Sequence, residues 1–396
     1  MLDYKKALME IKTLVIFRDI REDFVIKSLE EFFRLAMNQE NLEEAYAVFL
    51  HHLYQKGGDF GKHLLNIVLN SNNFYVRQRG PKTQPEINRC LAWELAVFQS
   101  WSQWNPHWFL EVIRPGKKPG EFLPSFENTA YDFNGEFTKR IEELETKGYG
   151  IFSQYTMFQL GESGLRPIGN PDLQTLSSLV GYEREKKILV ANTKSFLTGK
   201  PASNALLYGD AGTGKSSTVK ALVNEFQNQG LRLVELKKRQ LNNLPGLMEE
   251  LSENPLKFIL LIDDLTFSQA DENFAALKSL LEGSASVQSK NVLIYATSNR
   301  LHLVRETMEE RQGTEIHEND SIQETMGLAN RFGLTVTYHR PDRETYLDIV
   351  SYYAKEYDLN MEIKERSARA ETYALRNGGR SPRAAKQFVQ LEKGLS

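Results

Sequence analysis

Eight consecutive residues, Gly209-Asp210-Ala211-Gly212-Thr213-Gly214-Lys215-Ser216, constrain this chain more than any other stretch. They fit the pattern G-x-x-x-x-G-K-[ST], whose glycines allow a turn too tight for other residues. The flanks agree. Residues 204–208 form a short apolar run suited to a buried strand, and residues 217–226 read as a helix. A turn between such elements points successive N–H groups, and the positive end of the helix, at a phosphate. Lys215 is expected to reach the β- and γ-phosphates of a bound nucleotide, and the Ser216 hydroxyl to ligate magnesium. Gly209, Asp210, Ala211, Gly212, Thr213, Gly214 and Ser217 would complete the cradle.

At 396 residues the chain is long for one core, so two or three domains are expected. Its 41% hydrophobic and 26% charged residues, with a formal charge of -3, describe an ordinary folded protein. That balance withholds the broad basic field of a dedicated nucleic-acid binder. The lone cysteine, Cys90, excludes an intramolecular disulfide framework and agrees with a reducing compartment. No run approaches the roughly 18 apolar residues of a spanning helix. The N-terminus is charged and amphipathic rather than signal-like. A cytoplasmic protein without membrane attachment is expected.

Two blocks differ in clarity. Residues 1–170 read as a mainly helical N-terminal domain, with helical spacing over 29–50, 86–98 and 137–144. All four tryptophans fall between Trp93 and Trp108, which predicts a packed aromatic cluster with Phe98, Phe109 and Phe158, or else an exposed partner anchor. Residues 116–124, with Lys117 and Lys118, read as a loop. From 171 to 340 strands and helices alternate, which implies an α/β domain with a parallel sheet covered by helices on both faces. Strands are expected at 231–236, 258–262, 291–296 and 334–338, and helices at 241–251 and 270–281. Residues 341–396 turn entirely helical, over 343–356, 363–375 and 382–391, and form a small C-terminal lid.

Residues 258–264, Phe-Ile-Leu-Leu-Ile-Asp-Asp, read as a buried strand ending in two carboxylates. Asp263 would hold magnesium at the carboxyl end of the strand, where parallel sheets bind ligands. Asp264 would orient and polarise the attacking water. Residues 294–300 end another strand in Thr297-Ser298-Asn299-Arg300, and Asn299 can hydrogen-bond the lytic water or the γ-phosphate without adding charge. Arg331, in Leu328-Ala329-Asn330-Arg331-Phe332-Gly333, is placed to reach a neighbouring subunit's γ-phosphate. Arg383 starts the final helix behind Pro382 and could contact nucleotide in cis, with Arg380 as its competitor. Val180 or Tyr182, in the segment that opens the helical stretch to Leu197, could pack on the adenine.

Taken together, Val180-Gly181-Tyr182, the octamer ending in Lys215-Ser216, Asp263-Asp264, Asn299, Arg331 and Arg383 resemble the Walker A, Walker B, sensor and arginine elements of an AAA+ P-loop ATPase. Residues 175–395 are similar to the DUF815 family, a group of bacterial P-loop ATPases with no settled cellular role. The resemblance implies ATP and Mg2+ as cofactors and a homo-oligomer with ATP at subunit interfaces. The Asp-Asp pair also resembles that of bacterial replication initiators. It departs from the commoner Asp-Glu and shortens the catalytic side chain by one methylene, which is compatible with slow turnover. The expected function is ATP hydrolysis that drives conformational change in an unidentified protein partner, held through the N-terminal domain. The alternatives are a DNA-associated helicase-loader or initiator-like ATPase, and a nucleotide-gated scaffold with negligible turnover. Against DNA contact, Lys237, Lys238 and Arg239 form only a short basic turn.

Overall fold

The computed structural model describes residues 3–80, 84–114, 124–162, 164–267, 272–281, 290–299 and 330–395. The loop expected at 116–124 therefore lies, except for Pro124, outside the described residues, as do residues 270 and 271, Arg300, Leu328 and Ala329. The chain forms two compact units, Met1–Gln154 and Tyr155–Ser396.

The first unit is helical. The spacing over 29–50 is divided between two helices, Phe24–Asn38 and Leu42–Tyr54. They separate because Gln39 and Asn41 adopt left-handed backbone conformations (φ 56° and 49°), and the Gln39 N–H caps the first helix on the Leu35 carbonyl. The helix expected at 86–98 runs Pro85–Trp101, and that at 137–144 is resolved as Phe133–Glu142 followed by Leu144–Lys147. Trp101 and Trp104 stack with centroids 5.5 Å apart, and Trp104 stacks on Phe60. Trp93 stays 44% exposed, and Phe158 belongs to the second unit. The aromatic cluster is thus real but narrower than the sequence spacing implies. Glu94, fully buried, accepts the N–H groups of Val15, Ile16 and Phe17 at 2.8, 3.0 and 2.9 Å. Its carboxylate oxygens satisfy three backbone donors that the turn before Arg18 leaves without backbone partners.

The second unit is built on seven strands: β1 (Met157–Gly161), β2 (Gly164–Pro167), β3 (Ala205–Gly209), β4 (Leu231–Leu236), β5 (Lys257–Ile262), β6 (Val292–Ser298) and β7 (Leu334–Tyr338). Their order is β2-β1-β4-β5-β6-β3-β7, and every pairing is parallel except β1 with β2. The apolar run of β5 is buried from Phe258 onward, as a strand covered on both faces must be. Leu189 and Phe196 of the helix Glu183–Leu197 pack with Val219, Leu222 and Val223 of the helix Lys215–Phe226 against Leu207, Leu233, Ile259 and Tyr295. The Tyr295 hydroxyl is satisfied inside this core by Asn192 and Thr193.

The five strands expected from sequence form at their predicted places. The hairpin β1–β2 was not expected. It begins the sheet at Met157, ahead of the boundary that Pro167 and Pro171 suggested at residue 170. The last three helices, Arg343–Glu356, Ile363–Arg376 and Pro382–Leu395, share a separate apolar cluster around Tyr346, Ile349, Phe388 and Val389. The architecture is the AAA+-type P-loop α/β fold, a mostly parallel sheet flanked by helices and preceded by a helical unit.

Candidate nucleotide site

Strand order decides which side chains meet. Because β3 lies beside β6, and β6 beside β5, the carboxyl ends of three strands distant in sequence share one edge. Tyr208 of β3 is in register with Ser298 of β6, and Ile262 of β5 with Ala296. The residues that end or directly follow these strands are Gly209–Ser216, Asp263–Asp264 and Asn299.

The loop after β3 needs its glycines for different reasons. Gly209 (φ 136°) passes so close to β7 that a Cβ would sit 2.0 Å from the Tyr338 carbonyl oxygen. Gly214 (φ 95°) meets nothing within 4 Å, so there the backbone conformation alone demands glycine. Thr213 is buried and closes the turn through a 2.8 Å bond from its hydroxyl to the Asp210 carbonyl. Ala211 is exposed at the crest. The helix Lys215–Phe226 starts at Gly214 with no side chain capping it, and Ser217 lies in its first turn.

Lys215 is 7% exposed and curls back over the turn. Its Nζ donates to the carbonyls of Gly209 and Asp210, both at 2.8 Å, and to Asn299 Oδ1 at 3.1 Å. Burial lowers its pKa, Arg383 pushes the same way, and Asp210, Asp263 and Asp264 oppose both. Asn299 Nδ2 in turn donates to Asp264 Oδ1 at 2.9 Å. Asp264 holds a left-handed conformation (φ 52°), and its N–H donates to Thr297 Oγ1 at 3.0 Å. Ser216 and Thr297 hydroxyls both donate to Asp263 Oδ1.

This oxygen-only group suits magnesium. Among the described residues there is no cluster of three or more His, Cys, Asp or Glu that could hold a metal alone. One hydroxyl and one carboxylate, completed by phosphate oxygens and water, is a usual protein share of a magnesium shell.

Arg383 reaches the loop from the helix Pro382–Leu395. Its N–H donates to the Gly212 carbonyl at 3.3 Å, and its Cβ lies 3.2 Å from where a Gly212 Cβ would stand. Arg380 is diverted, with Nη2 2.8 Å from Glu371 Oε2 and Nε 3.2 Å from both carboxylate oxygens. Arg331 follows Asn330 in the turn that leads into β7, half-buried and followed by the fully buried Phe332.

The two adenine candidates part company. Val180 lines a cavity of about 640 Å³ with Leu176, Leu179 and Val190, and none of the residues 209–217 lines it. Tyr182 instead stacks on Tyr338, with centroids 5.1 Å apart, and its hydroxyl donates to the His339 carbonyl at 2.7 Å. Burial pushes the Tyr182 phenol pKa up. Through Tyr338, whose carbonyl accepts the Asp210 N–H at 3.0 Å, Tyr182 braces the start of the phosphate loop.

Sequence reasoning missed Arg340. Its N–H donates to Asp210 Oδ2 at 3.1 Å and its Nε to Oδ1 at 3.2 Å. A signal existed in an arginine directly before Pro341 and after a strand, but nothing local linked it to Asp210.

Among the described residues no helix is long and apolar enough to cross a membrane. The chain is 28% identical over 171 residues to the probable mitochondrial chaperone BCS1-A of Dictyostelium discoideum, covering 36% of this chain and 40% of that protein. It is 30% identical over 133 residues to the replication factor C large subunit of Thermofilum pendens, covering 31% of each. The chain therefore spans well under half the length of these curated relatives. Among solved structures, the RuvB Holliday junction branch migration motor of Thermotoga maritima superposes with a TM-score of 0.35 at 15% identity, covering 56% of this chain and 71% of that one. Residues 153–395 match the family described as Protein of unknown function (DUF815). With more than half its length within that match, the chain belongs to the DUF815 family, within the broader AAA+/P-loop NTPase superfamily.

Proposed function

We propose that this protein binds Mg-ATP at the end of β3, hydrolyses it to ADP and phosphate, and uses the cycle to load or move a DNA-associated assembly. The observation carrying the ATP half is the continuous wiring of Lys215 to Asn299 to Asp264, beside Ser216 and Thr297 on Asp263. Backbone amides of residues 210–217 would hold the phosphates, and Lys215 would exchange its carbonyl partners for phosphate oxygens. Ser216 and Asp263 would hold magnesium, whose positive charge would offset that of the phosphates. Asp264 would polarise the attacking water and Asn299 would fix its direction. Arg383 would read the phosphates in cis, and Arg331 would come from a neighbouring protomer of a homo-oligomer.

The sequence reading put an unidentified protein partner first. Similarity to replication factor C large subunits supports the reverse order, with DNA ahead. One basic surface supports this reading. Exposed Lys237 and Arg239 rim a cavity of about 660 Å³ at the carboxyl ends of β1, β4 and β5, and Asp263 lines the same cavity. A phosphate backbone there would lie against an element that also meets the nucleotide. Protein remodelling is the second reading, favoured by the similarity to a mitochondrial chaperone, with the helical unit as the client surface.

ATP hydrolysis measured with single- and double-stranded DNA across salt concentrations tests both halves. Turnover that needs Lys215, rises with DNA and loses that rise in Lys237→Glu/Arg239→Glu supports the DNA reading. Turnover indifferent to DNA at low salt transfers support to remodelling, and no Mg-ATP uptake removes both.

A further inference from the structure

We infer that Arg340 is a positioning residue that couples the phosphate loop to the glycine turn preceding the helix of Arg383. For its kinetic consequence the inference rests on the ATP reading above.

Three contacts define the coupling. Arg340 grips Asp210 twice, through its own N–H and through Nε. The other side of its guanidinium lies against Gly379, where an added Cβ would sit 2.4 Å from Nη1. Gly378 and Gly379 both hold positive φ (85° and 105°), so this turn keeps a conformation in which a side chain is strained and a guanidinium fits against bare backbone. Two residues after Gly379, Ser381 Oγ caps the terminal helix by accepting the Ala384 N–H at 3.1 Å. Arg383 N–H meets the Gly212 carbonyl. The phosphate loop is therefore tied at two of its residues to the segment 378–383, at Asp210 through Arg340, which packs on Gly379, and at Gly212 through Arg383 at the start of the terminal helix.

The geometry makes the ion pair matter more than its strength. Asp210 and Arg340 side chains are 40% and 57% exposed, so as a simple surface pair they would contribute little. Their value lies in position. Asp210 and Gly212 bracket the crest of the loop, and a phosphate seated under that crest cannot shift Asp210 without shifting Arg340 and the turn it packs on. Arg340 thus sets where Arg383 stands relative to the phosphates and passes loop movement to the last three helices.

Amide hydrogen exchange of the full-length, nucleotide-free protein tests the mechanical link without catalysis. Arg340→Ala should raise exchange at residues 378–384 and 210–214 about fivefold, the scale of a lost surface ion pair, with Asp210→Asn matching it and Arg340→Lys intermediate. Wild-type exchange at 378–384 in both Arg340→Ala and Asp210→Asn overturns the inference. In steady-state kinetics Arg340→Ala should lower kcat by up to about 100-fold, the scale of a group misplaced by about 1 Å, while KM for ATP moves far less. Asp210→Asn with Arg340→Ala should be no worse than the more affected single variant. A pure KM effect, or fully additive losses, would overturn the alignment role. A wild-type protein without ATP turnover removes the proposed function, and exchange alone then decides the coupling.

Discussion

Asn299 donates through Nδ2 to Asp264 Oδ1 at 2.9 Å, joining the ends of two neighbouring strands by one side-chain bond. The carboxylate is thereby aimed by a neutral group that also accepts from Lys215. Asp264→Asn should keep ATP binding and lose turnover about 100-fold, the lower range for removing a general base. Asparagine tolerates the left-handed backbone at this position, so folding should survive. Asn299→Ala should lose less, and the double variant should fall short of the product of the two. Single-turnover phosphate release, with binding followed separately, measures all three.

Lys215 gives the site a pH signature. Burial lowers its pKa below the usual 10.5, so the nucleotide-free fold binds fewer protons there than the unfolded chain does. The contribution of this group to stability should therefore rise with pH through its lowered folded pKa and level off above 10.5. ATP affinity should move oppositely, falling with alkalinity as the ammonium is lost. Thermal melts and calorimetric ATP titrations over that window, each compared with Lys215→Ala, check the two signs.

Arg331→Ala should retain ATP uptake and lose turnover about 1000-fold, the lower range for an arginine supplied across an interface. Wild-type rate per protomer should rise with protein concentration. Mixing Arg331→Ala with Lys215→Ala protomers should restore some activity, because each supplies what the other lacks. A concentration-independent rate with an active Arg331→Ala protein would dismiss the shared site.

Gly209→Ala should cost at least about 3 kcal/mol, because positive φ and backbone contact leave the methyl nowhere to go. Its Cβ would meet the Tyr338 carbonyl oxygen at 2.0 Å, and a β-sheet pairing cannot yield as a side chain can. Gly214→Ala meets nothing within 4 Å and should be milder. Denaturant midpoints of the two variants rank them.

Glu94→Ala strands two buried N–H groups, those of Ile16 and Phe17, and frees the part-buried one of Val15, and should destabilise the helical unit by roughly 3 kcal/mol. All four tryptophans lie within 93–108, so intrinsic tryptophan fluorescence reports on that unit directly. Urea unfolding followed by fluorescence should show the loss, while ATP binding persists at low denaturant.

Much of the second unit was legible because its strands are continuous apolar runs: 258–262 and 231–236 carry at most two polar residues between turn signals. Lys215, Asp263, Asp264 and Asn299 could be placed together because each follows such a run, and parallel strands deliver their ends to one edge. The hairpin β1–β2 escaped notice for the opposite reason. Met-Phe-Gln-Leu-Gly and Gly-Leu-Arg-Pro are short, contain glycine and proline, and are only partly buried, so neither alternation nor an apolar run marks them. The pair Asp210–Arg340 spans 130 residues and has no periodic trace. The stacking of Tyr182 on Tyr338 was not legible either, because an aromatic before a helix looks the same in sequence whether it faces a base or another tyrosine.

The parallel pairing of β1 on β4 has a practical consequence. A fragment begun at residue 171 would strip away β1 and β2 and leave the Leu231–Leu236 backbone with open donors and acceptors along one side. That bared, mostly apolar strand would recruit copies of itself, and such a fragment would be sticky where the intact chain ends its sheet on a short, arginine- and proline-bearing ribbon.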